Sequence, residues 1–417
     1  MLDDAAQQED YEAAQEALDD DDLDTVRACL KRMLRRAPDD VRSIEISGDL
    51  ARTRGEYARA EKLYRKMTDV SDDTAVRGLS CLSIGLVLRD QDDKERARPM
   101  LRQAADIFRQ VGDTDRLLLA LSMLGDVCRD LGALRDGAAA YHEGLNAIAA
   151  NEDDPESDWP GRFALDLGYV YRLLGELDRG LIYLDQARHR FRSLGRDAEL
   201  ADVLDAMGCI KQVQGAYDEA EALHAESVAI NEGIENPEGL STNYGNLSLL
   251  CQNREQWDEA EEYLNLAYEI DKVMDRKDGI ADYHMQLGTI RRERGEYESA
   301  ESSLLKGLKL QKKQGTAEGV AVSYSQLGVL YRLQERFEEA EAMTRKGLEM
   351  AEEMGHGDAL ASLLDELAQL RKDQGRPDEA RDLWTRSLAL FESLRSARMI
   401  GEVRGRLASL DQESPPA

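Results

Sequence analysis

Residues 287–300 read Leu287-Gly288-Thr-Ile-Arg-Arg-Glu-Arg-Gly295-Glu296-Tyr297-Glu-Ser-Ala300, and the same arrangement returns every forty residues. Gly168, Gly208, Ser248, Gly288, Gly328 and Ala368 keep that interval, each directly after an apolar residue (Leu167, Met207, Leu247, Leu287, Leu327, Leu367). Twelve positions after each stands a second small residue: Gly180, Ala220, Ala260, Ala300, Ala340 and Ala380. Small residues at fixed offsets in a fixed period mark stacked like units rather than one central core. Their physical task is to let two helices approach closely.

The register extends toward the N-terminus through Gly125, Gly85 and Gly48, at intervals of 43, 40 and 37 residues. A first repeat centred on Ala14 has Leu30 and Met33 as apolar positions and ends at Pro38, which makes ten repeats over roughly residues 5–395. Met399 to Leu410 repeats the start of a unit and stops, with Gly405, Leu407 and Leu410 in place, so it reads as a capping helix. The expected organisation is therefore an array over 1–396, a cap over 397–410 and a disordered tail over 411–417.

Each repeat reads as two helices, A and B. Leu204, Met207, Ile210 and Val213 lie on one helical stripe, Gly215-Ala216-Tyr217 breaks it, and Ala220, Leu223, Val228 and Ile230 resume it. Acids follow the turn in Asp218-Glu219, Asp258-Glu259, Glu338-Glu339 and Asp378-Glu379, where a new helix exposes free N–H groups. Gly112, Gly195, Gly315 and Gly355 fall 27 residues after their small residue, where a left-handed cap ends helix B.

These residues resemble the tetratricopeptide repeat family, whose motif is an apolar residue plus glycine in helix A, an aromatic at the turn and an alanine in helix B. Leu287-Gly288, Tyr297 and Ala300 carry the likeness, as do Leu327-Gly328, Phe337 and Ala340. It covers nearly the whole chain, and the long period is similar to that of kinesin light chains, cell-polarity adaptors and bacterial peptide-sensing regulators. The first repeat and the step from Gly125 to Gly168, which holds the acidic insertion at 151–158, depart most from the pattern. The resemblance implies an all-α, right-handed superhelical solenoid.

Composition agrees with a helix-rich chain. Aromatics make up 6%, charged residues 33%, and there are eight prolines among 417 residues. A net charge of −30 argues against nucleic acid and against anionic membrane surfaces. Arginine outnumbers lysine by 41 to 13, which suits either a high-GC genome or a saline cytoplasm. Met1-Leu2-Asp3-Asp4 lacks the basic and apolar regions of a signal peptide, and the apolar run near Leu117–Leu124 is too short to span a bilayer. Cys29, Cys81, Cys128, Cys209 and Cys251 are odd in number and form no CxxC pair, as expected of buried thiols in a reducing cytoplasm.

Motifs for phosphate loops, nucleophile elbows, zinc proteases or paired cysteines do not occur. His142, His189, His224, His284 and His356 fall at unrelated offsets; His224 holds a core-like place in helix B and reads as structural. The acids Asp19–Asp22 with Asp24, and the 151–158 loop, lack the spacing of a calcium loop. No enzyme activity, cofactor or metal is expected.

By the resemblance, helix A lines the concave face where ligand peptides lie. Four residues past each small residue stand Arg52, Arg89, Arg129, Arg172, Gln212, Gln252, Arg292, Arg332 and Lys372, with no acid among them. A guanidinium ladder suits acidic side chains or a terminal carboxylate; equally, a cation there complements the end of helix A. Repeats three to five add Leu79, Leu82, Leu86, Leu119, Leu165 and Tyr169, which form an apolar patch if no neighbour covers them. Repeats seven to nine are polar instead, with Thr242, Gln252, Asn253 and Thr289. Asn246, Gln286 and Gln326 share one offset there, two before the small residue, and an amide can pair with a peptide backbone. The family uses asparagine at this offset; only Asn246 matches the residue type, and ordinary polar filler is the plain alternative.

The leading expectation is a scaffold or adaptor that binds a segment of another protein or a peptide, with acidic or carboxylate groups meeting the arginines. A regulator sensing a short signalling peptide, and a recruiting module for a separate kinase or protease, are the alternatives. The sequence sets no oligomeric state.

Overall fold

The computed structural model describes residues 2–150, 154–314, 317–354, 357–393 and 397–413. All its regular elements there are α-helices, twenty-one in chain order. They fall into two bodies, residues 1–194 and 195–417.

The first body holds α1 (Leu2–Asp19), α2 (Leu23–Arg36), α3 (Val41–Thr53), α4 (Tyr57–Val70) and α5 (Thr74–Asp90). It continues with α6 (Lys94–Val111), α7 (Thr114–Asp130), α8 (Leu134–Ala150), α9 (Trp159–Leu173) and α10 (Leu177–Leu194). The second body holds α11 (Asp197–Val213), α12 (Tyr217–Gly233), α13 (Pro237–Asn253), α14 (Trp257–Val273) and α15 (Lys277–Glu293). After these come α16 (Tyr297–Gln314), α17 (Ala317–Leu333), α18 (Phe337–Met354), α19 (Gly357–Asp373), α20 (Pro377–Ser393) and α21 (Ala397–Glu413). Odd helices up to α19 are the A helices of ten repeats and even helices the B helices. The last helix runs to Glu413, three residues beyond the expected boundary at 410, and 414–417 lie outside the described residues.

Helix boundaries follow local chemistry. Asp22, Asp40, Asp73, Asp93 and Asp113 each accept a backbone N–H at the start of a helix, which gives an orphan donor a partner. Asp22, at the end of the acidic 19–22 run, is thereby a helix cap. Seven residues after each small residue the chain turns with positive φ, at Gly55, Gly132, Gly175, Gly215, Gly295 and Gly375 but also at Asp92, Glu255 and Glu335. Gly112 and Gly195 take the expected left-handed conformation, at φ 76° and 65°, and Glu235 and Asp275 do so at the same offset. Gly315 and Gly355 lie outside the described residues.

The core explains the period. The residue sixteen after each small residue is buried throughout: Tyr64, Leu101, Tyr141, Leu184, His224, Leu264, Leu304, Thr344 and Trp384. It projects from helix B onto the small residue of helix A. A Cβ on Gly125 would stand 2.2 Å from the Tyr141 ring, and one on Gly168 would stand 2.4 Å from Leu184. Those separations are far inside van der Waals contact, so the glycine is a steric requirement of the pair. Tyr64 and Tyr141 also donate their hydroxyls to Asp49 and Asp126, at 2.6 and 2.8 Å.

Within each body, successive A helices touch, as α5 with α7, α7 with α9, α11 with α13, and α17 with α19, whereas successive B helices do not pack to that extent. In a curved two-layer stack the closer layer is the inner one, so each body presents its A helices on its concave side. No helix among the described residues is long and apolar enough to cross a membrane.

Candidate functional site

The A-helix column four past the small residue is half-buried at all nine positions. Its polar heads reach the next repeat. Arg292 Nη1 donates to Gln326 Oε1 at 2.5 Å, and Gln252 Nε2 donates to Gln286 Oε1 at 3.4 Å. Arg129 lies 3.5 Å from Asp166, Arg52 3.2 Å from Asp90, and Arg332 2.7 Å from Asp373. Arg89 ends on the Met123 sulfur and beside Asp90. Arg52, Arg129, Gln252, Arg292 and Arg332 thus meet an acid or an amide of the next repeat and tie neighbouring A helices together. Asn246 likewise donates to Asp205 Oδ2 at 2.7 Å. Arg172 is half-buried, and its Nε has no hydrogen-bond partner among the described residues. Gln212 and Lys372 occupy equivalent half-buried places.

The six apolar positions of the first body do not form one open patch. Leu82 is buried in the core, Leu79 packs against that core, and Leu86, Leu165 and Tyr169 are half-buried, which leaves Leu119 as the exposed member. Neighbouring helices cover most of this surface.

Acids on this face are strongly perturbed. Burial, with the charge of Asp126 nearby, raises Asp166 to about 7. Burial raises Glu45 to about 7; its carboxylate accepts the Tyr11 hydroxyl at 2.9 Å. Glu366 is pushed up to about 8, again chiefly by burial, and accepts the Ser325 hydroxyl at 2.5 Å. These groups are held by protein rather than aimed at solvent.

The second body has an opening among its A helices. Between α13, α14 and α15 lies a cavity of about 200 Å³, lined by Thr242, Gly245, Asn246, Leu249, Tyr268, Asp271, Arg276, Asp282, Tyr283 and Gln286 among others. Its cause is a missing side chain. Three residues before the small residue the other repeats carry Glu45, Leu82, Ser122, Leu165, Asp205, Met285, Ser325 and Asp365, whereas this one carries Gly245. A Cβ built there meets no atom within 4 Å. Asn246 and Gln286, two of the expected site residues, flank the opening. Gly245, Asp282, Tyr268 and Tyr283 were not among the expected residues; the lone glycine of its column was the available signal.

The charges around the cavity are unbalanced. Asp271, 4% exposed, accepts the Ser241 hydroxyl at 2.7 Å and lies 3.5 Å from Arg276 Nη1. Arg276 is also 3.7 Å from Asp278 and 3.9 Å from Glu238. Asp282, at the solvent edge, has no ion-pair partner among the described residues; desolvation and the charges of Asp278 and Asp271 raise its pKa.

His224 is buried and shares its Nδ1 with Asp205 at 2.8 Å, a structural place and not a surface one. Among the described residues no group of three or more His, Cys, Asp or Glu side chains is arranged to hold a metal ion.

Two family models, both described as tetratricopeptide repeat, match residues 201–273 and 279–353, and residues 79–111. No curated protein sequence matches the chain. Among solved structures, the Rap conjugation gene regulator of the plasmid pLS20, in complex with the Phr* peptide, is similar at 13% identity, over 86% of this chain and 96% of that one, with a TM-score of 0.59. The apo quorum sensor NprR from B. thuringiensis is similar at 15% identity, over 84% and 99%, with a TM-score of 0.58. Aspartyl phosphate phosphatase F from Bacillus subtilis follows at 12% identity, over 86% and 94%, with a TM-score of 0.56. At such identities the likeness concerns the fold. The family matches at 79–111 and 201–273 end with helix B, at Val111 and Val273, in the same register that the small residues define, and the matched stretches are tetratricopeptide repeats.

Proposed function

We propose that this protein is a non-catalytic scaffold that holds an extended segment of a partner protein, or a free peptide, on the inner face of its second body. The observation that carries the reading is the Gly245 cavity. It is the place where the A-helix layer leaves room for a ligand side chain and offers unfilled amide capacity beside it, at Asn246 and Gln286. An extended backbone needs donors and acceptors along its length, and these amides supply both. The chain's net charge of −30 disfavours nucleic acid as a partner.

The expectation of an acidic ligand rested on the arginine column. Since Arg52, Arg89, Arg129, Arg292 and Arg332 already meet acids or amides within the protein, they give that expectation little support. Sensing of a short signalling peptide is the second reading, favoured by the fold that this chain shares with a regulator complexed with the Phr* peptide and with a quorum sensor. Both readings use the same face.

Display of random dodecapeptides, panned against the full chain and counter-panned against the Gly245→Leu variant, tests the proposal. Peptides recovered on the wild type and lost on the variant are the expected result. Equal recovery on both proteins would remove the cavity from the site.

A further inference from the structure

We infer that the Gly245 cavity takes a positively charged side chain, lysine or arginine, from the bound segment. The inference rests on the peptide-binding reading above and adds the chemical class of the ligand. Size comes first. At about 200 Å³ the cavity is smaller than the roughly 300–1,000 Å³ typical of small-molecule sites and matches one long side chain. Gly245 makes the floor open, and Thr242 and Asn246 put a hydroxyl and an amide oxygen at its rim, where they can accept from N–H donors.

Charge decides the occupant. Asp271 and Asp282 line the cavity, with Arg276 as the cation of the lining; Glu238 and Asp278, both largely exposed, approach Arg276 at 3.9 and 3.7 Å. The neighbouring Lys277 lies 3.8 Å from Asp275. Asp271, Asp278 and Glu238 all face the Arg276 guanidinium within 4 Å, so Asp282 is left as the lining carboxylate whose charge a bound cation would offset. Asp282, on the wall and without an ion-pair partner among the described residues, is placed to meet it. Tyr268 and Tyr283 add aromatic surface, stacked with ring centroids 4.1 Å apart. Tyrosine faces attract ammonium and guanidinium groups, and the Lys272 ammonium already stands 5.8 Å from the Tyr268 ring centroid. The cation that an acidic side chain would seek here is Arg276; its Nη1 makes no hydrogen bond among the described residues, but the guanidinium already faces Asp271, Asp278 and Glu238 at 3.5, 3.7 and 3.9 Å. Arg292 and Arg332, the nearest members of the arginine column toward the C-terminus, are occupied by Glu293 at 2.7 Å and by Asp373 at 2.7 Å.

The test uses four fluorescent octapeptide pools, random except for one fixed central residue: Arg, Lys, Ala or Glu. Anisotropy titrations with the full chain at two salt concentrations read their affinities. The Arg and Lys pools are expected to bind about 10-fold tighter than the Ala pool, with the preference shrinking at high salt. Asp282→Asn should reduce that preference several-fold, and Gly245→Leu should abolish it. Far-UV circular dichroism checks that each variant is folded; should Gly245→Leu unfold, Asp282→Asn carries the test. Binding of all pools with equal strength, or a lead by the Glu pool, would overturn the charge inference and leave the peptide reading standing. Binding of none would overturn both.

Discussion

Twenty-three residues after the small residue, repeats three to five bury Phe108, Ile148 and Phe191, and repeats six to eight bury Asn231, Asp271 and Gln311, before Ala351 and Phe391 return in the last two. The same place in the same fold is apolar in one run of repeats and polar in the next. In the first body, one apolar cluster runs from Ile44 to Tyr171. In the second, the stretch around α11–α15 holds small apolar clusters separated by a hydrogen-bonded network. There Asn231 Nδ2 donates to Asn243 Oδ1 at 2.8 Å, and Asn243 Nδ2 donates to Asp205 Oδ1 at 2.9 Å. Asp205 also meets His224 and Asn246.

Apolar packing is non-directional, so side chains shift to fill gaps. Hydrogen bonds fix distance and angle. A polar core therefore holds helices at set positions even where a side chain is missing, and the cavity at Gly245 lies within that region. The difference teaches that repeats of one geometry divide their work: an apolar stack that supplies cohesion, and a polar stack that keeps a site open.

Truncation tests the contrast most severely. Phe108→Ala should cost about 3–5 kcal/mol in urea unfolding, as expected for a buried ring that leaves a void. A cost below about 1 kcal/mol would mean that the first body does not depend on this cluster. In the second body Asn243→Ala should cost about 1–3 kcal/mol, because Asp205 and Asn231 are left with unmet hydrogen-bonding groups. Its second effect separates the two mechanisms: peptide binding at Gly245 should weaken, whereas Phe108→Ala should leave it intact.

The pH dependence is smaller and its sign is definite. Glu366 ionises near 4.5 when unfolded and at about 8 when folded, so the native state binds more protons between those values. Its contribution to stability is therefore greatest at low pH and is lost as pH rises through about 8. Thermal melts at pH 5, 6, 7 and 8 should show a flatter decline for Glu366→Gln than for the wild type. Parallel curves would show that Glu366 is not held neutral by its surroundings.

The smallest effect lies in the turns. Glu255 and Glu335 have φ of 58° and 59°, where the other A–B turns of the second body use glycine. Glu255→Gly and Glu335→Gly should each raise stability by about 0.5–1 kcal/mol, the left-handed strain of roughly 1–2 kcal/mol less the entropy that glycine loses. A loss of stability would mean that these glutamates make compensating contacts.

Much of this fold was readable from the chain. The small residues at two offsets set the period, the helix pairing and the turn positions, because close approach leaves one solution. The residue sixteen on was less visible, since Tyr64, Leu184, His224 and Thr344 share a shape constraint and not a chemical type. The site was legible in part. Asn246 and Gln286, singled out by their shared offset, line the Gly245 cavity, but the arginines beside them looked available for a ligand. Arg292 and Gln326 stand 34 residues apart, and their pairing emerges only when successive helices are laid side by side. Gly245 was hidden for the opposite reason: an absent side chain has no pattern of its own until its neighbours fail to fill the space.

The most direct measurement is amide hydrogen exchange of the full chain, with and without a saturating peptide recovered by display. The account predicts new protection in α13 and α15, over residues 237–253 and 277–293, and little change in α5–α8. Protection confined to the first body, or spread over the B helices alone, would contradict it.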